Sequence, residues 1–63
     1  MWIVVYISNT RQHANDIKEV LAAEGFLVKI KPISKNNKEG TCEILVPREE
    51  AEECHATLLN LGF

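Results

Sequence analysis

The chain is poor in the residues that build specialised chemistry. Three glycines serve 63 residues, and only Gly40 falls in the polar stretch from Ser34 to Gly40, so no multi-glycine phosphate cradle is available there. Seven Lys or Arg against nine Asp or Glu leave a net charge of −2, too weak a field to steer the chain to nucleic acid or anionic lipid. The longest apolar run, at the amino end, is too short to cross a bilayer and has neither a basic leader nor a small-residue cleavage pattern. A cytoplasmic compartment is therefore the expectation, with no membrane and no nucleic acid as partner. The two cysteines, Cys42 and Cys54, fall at apolar-periodic positions, which favours reduced core thiols over a disulfide. At this length folding hides only about 60% of the unfolded surface, so residues 1–63 make one domain with one thin core.

What is present is a clear change of period along the chain. Trp2 to Ile7 is β-branched and aromatic, then Ser8-Asn9-Thr10 gives way to helical spacing, with Asn9 as cap and Gln12 reaching back. Ser8 and Thr10 are the alternative caps. Ala14, Ile17, Val20 and Leu21 line one stripe of that helix, which Gly25 ends. Phe26 to Ile33 alternates as a second strand, and Pro32 makes it an edge or ends it. Ser34 to Gly40 reads as a hairpin loop. Thr41 to Val46 alternates again, with register placing Lys31 opposite Glu43, Ile30 opposite Ile44 and Val28 opposite Val46. Pro47 opens a second helix whose acidic start, Glu49 to Glu53, suits the positive end of the helix dipole. Its predicted buried stripe is Ala51, Cys54, Leu58 and Leu61.

The order β-α-β-β-α predicts an α+β, ferredoxin-like sandwich lacking its fourth strand: a three-stranded antiparallel sheet of order 1-3-2 with both helices on one face. The missing strand leaves the first strand's edge without charge, proline or bulge signal. Either another subunit pairs there, or the second helix and Phe63 shield it. Strict alternation puts Trp2, Val4, Tyr6, Lys29, Lys31, Glu43 and Leu45 on the open face of the sheet, and these are the candidate binding residues. A homodimer anchored by Trp2 and Tyr6 is the first reading. The second is a partner protein, peptide or small ligand oriented by the lysines, with the Ser34 to Gly40 loop closing over it. A single-strand nucleic-acid platform is the weakest, because two lysines, one facing Glu43, give little phosphate affinity.

No catalytic residue, cofactor or metal ligand emerges. Cys54 and His55 are adjacent on a helix and point about 100° apart, which separates the imidazole from the thiol. Cys54 reads as core, while His55 and His13 read as solvent-facing. Cys42, Cys54 and the histidines lack metal-site spacing. Asp16, Glu19 and the second helix's glutamates read as solvated charges.

Met1 to Ile7, Glu24-Gly25-Phe26, Val28 to Ile33, Glu43-Ile44-Leu45-Val46-Pro47 and Glu52-Glu53-Cys54-His55 together resemble a family of short, functionally uncharacterised Firmicutes proteins. The chain is also distantly similar to small prokaryotic signal-transducing domains of the β-α-β-β-α type. The resemblance implies a bacterial cytoplasmic module with a regulatory role and no catalytic residue to carry over. Some members of such families bear a glutamate decarboxylase label. Lys18, Lys29, Lys31, Lys35 and Lys38 have no phosphate pocket beside them of the kind a pyridoxal cofactor needs.

Overall fold

In a computed structural model, the fold is described for residues 1–33 and 40–63. Most of the expected hairpin loop, with Lys35 and Lys38, lies outside them. The element order is β1 (Trp2–Ser8), α1 (Arg11–Ala23), β2 (Lys29–Pro32), β3 (Cys42–Pro47), a 3-10 turn (Arg48–Glu50) and α2 (Ala51–Asn60). The three strands pair antiparallel in the order β1-β3-β2, a ferredoxin-like arrangement with two flanking helices and no fourth strand among the described residues. One core lies between the layers: Ala14, Ile17 and Leu21 from α1, Cys54 and Leu58 from α2, and Cys42, Ile44 and Val46 from β3. Each large aliphatic side chain removed from water there contributes about 1.5–3 kcal/mol.

Local chemistry sets the boundaries. Thr10, not Asn9, caps α1: its Oγ1 accepts the His13 amide at 3.1 Å from an extended backbone. β2 keeps the expected register, Lys31 against Glu43 and Ile30 against Ile44, and the Ile33 amide donates to the Thr41 carbonyl. It begins only at Lys29, so the predicted Val28–Val46 pair falls outside the ladder. After Pro47 the chain makes a 3-10 turn before α2 begins, and neither start has a side-chain cap among the described residues. Gly40 sits at φ +76°, and a Cβ there would lie 3.1 Å from the backbone nitrogen of Arg11. That close approach fixes the return of the hairpin against the start of α1.

Both helices end in the same motif. Gly25 and Gly62 take φ of +95° and +90°. The Gly25 amide donates to Ala22 and the Phe26 amide to Leu21; likewise Gly62 donates to Leu59 and Phe63 to Leu58. These are two Schellman caps on one pattern, Leu-x-x-x-Gly-Phe. In the second, the turn brings Phe63 back onto the domain. Leu61, predicted in the buried stripe, is left exposed because it is the cap residue, where helical spacing has already ended.

Candidate functional site

The face of the sheet away from the helices is set by a bulge. Trp2, Ile3 and Val4 pair with Pro47, Val46 and Leu45, but the next partner, Ile44, faces Tyr6, and Val5 is the extra residue. A bulge of this kind turns both residues of its pair toward the same side of the sheet as the residue they oppose. Ile44 is fully buried under the helices, and Val5 and Tyr6 both pack against that core. Strict alternation therefore fails at the centre of β1, which sequence reading had taken as free of bulges.

The consequence is a correction to the site. Tyr6 leaves the open face and Ile7, paired with Glu43, takes its place. The open face comprises Trp2, Val4 and Ile7 from β1, Glu43 and Leu45 from β3, and Lys29 and Lys31 from β2. Six of the seven predicted residues are there, and the seventh is on the other side. Trp2, Val4 and Ile7 are 42%, 40% and 55% exposed, a row of large apolar side chains along one strand.

Leu45 on this face is nonetheless buried, at 9% exposure. Its flanking partners are Val4 and Lys29, and the Lys29 ammonium lies 5.5 Å from the centre of the Trp2 ring. The two side chains thus reach across the central strand from opposite edges. Such a cation–π contact contributes about 0.5–1 kcal/mol at an exposed site, and the lysine stem adds apolar cover. Lys29 is engaged within the domain, leaving Lys31 and Glu43 side by side as the outer charges of the strip.

Tyr6 instead joins a cluster that sequence reading missed. Its ring meets His13 and Phe63 edge-on, at centroid distances of 6.1 and 6.2 Å, and His13 and Phe63 are 6.1 Å apart. His13, expected in solvent, is half-buried here. Ser8, buried on the same side of β1, donates its hydroxyl proton to the Thr10 carbonyl at 2.9 Å, and its Oγ lies 3.1 Å from His13 Nδ1. Which of the two donates in that second contact depends on the imidazole tautomer. Ser8 is 1% exposed, so its hydroxyl is shut away from solvent. It fixes the turn into α1. The only sequence signal was the five-residue spacing of Ser8 and His13 across a strand-to-helix turn.

The remaining chemistry is core chemistry. Both cysteines are free and buried. The Cys54 thiol is pushed above its ordinary value by burial and then by the charge of Glu50, while one carboxylate oxygen of Glu50 is buried with no hydrogen-bond partner among the described residues. A raised thiol is less nucleophilic at neutral pH. Among the described residues, no group of three or more His, Cys, Asp or Glu side chains is placed to hold a metal ion, and no helix is long and apolar enough to cross a membrane.

The fold and the face together define a class, a three-stranded ferredoxin-like domain whose open sheet face exposes Trp2, Val4 and Ile7 among the described residues. No protein-family model, curated protein or solved structure matches the chain.

Proposed function

We propose that this chain is a non-enzymatic association module of a bacterial cytoplasm, self-associating or binding a protein through the open face of its sheet. The observation that carries this is the row Trp2, Val4 and Ile7, exposed along one strand beside the buried Leu45. Aligned large apolar side chains on a sheet surface favour removal from water by a partner, and aromatic anchors carry most of the energy in such contacts. The face is small, three short strands wide, so the affinity expected of it alone is micromolar or weaker. Lys31 and Glu43 at its polar side set orientation rather than strength. A second reading, a small-molecule or peptide sensor using the same face, draws on Trp2 with the Lys29 ammonium 5.5 Å from its ring centre.

Light scattering from about 1 to 500 μM, the range in which an interface of this size associates, tests the proposal. The expected result is a concentration-dependent rise in mass that Trp2→Ala or Ile7→Lys abolishes. Tyr6→Ala, on the opposite side of the sheet, should leave the mass profile unchanged. A constant monomer mass removes the self-association reading.

A further inference from the structure

We draw no further inference here: the strongest candidate, the outer edge of β1 beside the ring cluster of Tyr6, His13 and Phe63, is interrupted by its own bulge at Val5, and nothing among the described residues shows what covers it.

Discussion

Counted back from each Gly-Phe pair, the two helices carry matching residues: Ala14 and Ala51, Ile17 and Cys54, Leu21 and Leu58. Their caps use equivalent hydrogen bonds. Yet Phe26 is 9% exposed and belongs to the core, whereas Phe63 is 37% exposed, with its ring beside those of Tyr6 and His13. The backbone turn is local and follows from glycine and leucine at fixed spacing. The fate of the aromatic after it is decided by tertiary structure. Phe26 lies just before β2, which pairs with β3, and Phe63 lies at the rim beside β1, next to which no further strand lies among the described residues.

The largest test of this contrast is truncation of the two phenylalanines. Phe26→Ala should cost about 3 kcal/mol by leaving a cavity under β2, and Phe63→Ala about 1 kcal/mol, read as a shift in the urea midpoint at constant slope. Equal losses would mean that the second exit is as deeply anchored as the first. The glycines should show the opposite, near equality. An added Cβ meets nothing within 4 Å at either position, so Gly25→Ala and Gly62→Ala should each cost about 1–2 kcal/mol from left-handed backbone strain alone. A large inequality there would show that the two caps are not energetically alike.

Alkaline pH separates the helices in a different way, because Cys54 titrates and its counterpart Ile17 does not. The folded thiol lies above its ordinary value of 9.0, so the unfolded chain loses its proton first as pH rises. The associated stability is whole below pH 9 and declines above it. The melting temperature of the native chain should fall more steeply between pH 8.5 and about 10.5 than that of Cys54→Val, with equal slopes counting against the assignment. Smallest is Glu50→Gln, which removes the charge beside that thiol. It should flatten part of the same slope and change stability at pH 7 by less than about 1 kcal/mol.

Much of the architecture could be read directly from residue patterns. The periods of Ala14-Ile17-Leu21 and Ala51-Cys54-Leu58, the alternation of Cys42-Ile44-Val46, and the pairing of Lys31 with Glu43 are enough to specify element order, strand order and hairpin register. The boundaries moved where two local options compete, as with Asn9 and Thr10 for one cap. The membership of the open face was legible on β2 and β3 and misread on β1 after Val4. Val4, Val5 and Tyr6 are all apolar and all good strand formers, so neither a polar residue nor a glycine marks the step in phase. The bulge is fixed by which side chains the core of helices can accept, information spread over Ile44, His13 and Phe63. For the same reason the Ser8–His13 contact, made across a turn, left no periodic trace.

The arch of Trp2 and Lys29 has an optical consequence. Trp2 is the chain's single tryptophan, seated on β1 with a β2 ammonium 5.5 Å from its ring centre. Its emission therefore senses whether the two outer strands remain held on either side of β3. An unfolding trace followed at that wavelength records the width of the sheet, and it is blind to a helix that loosens on the other side.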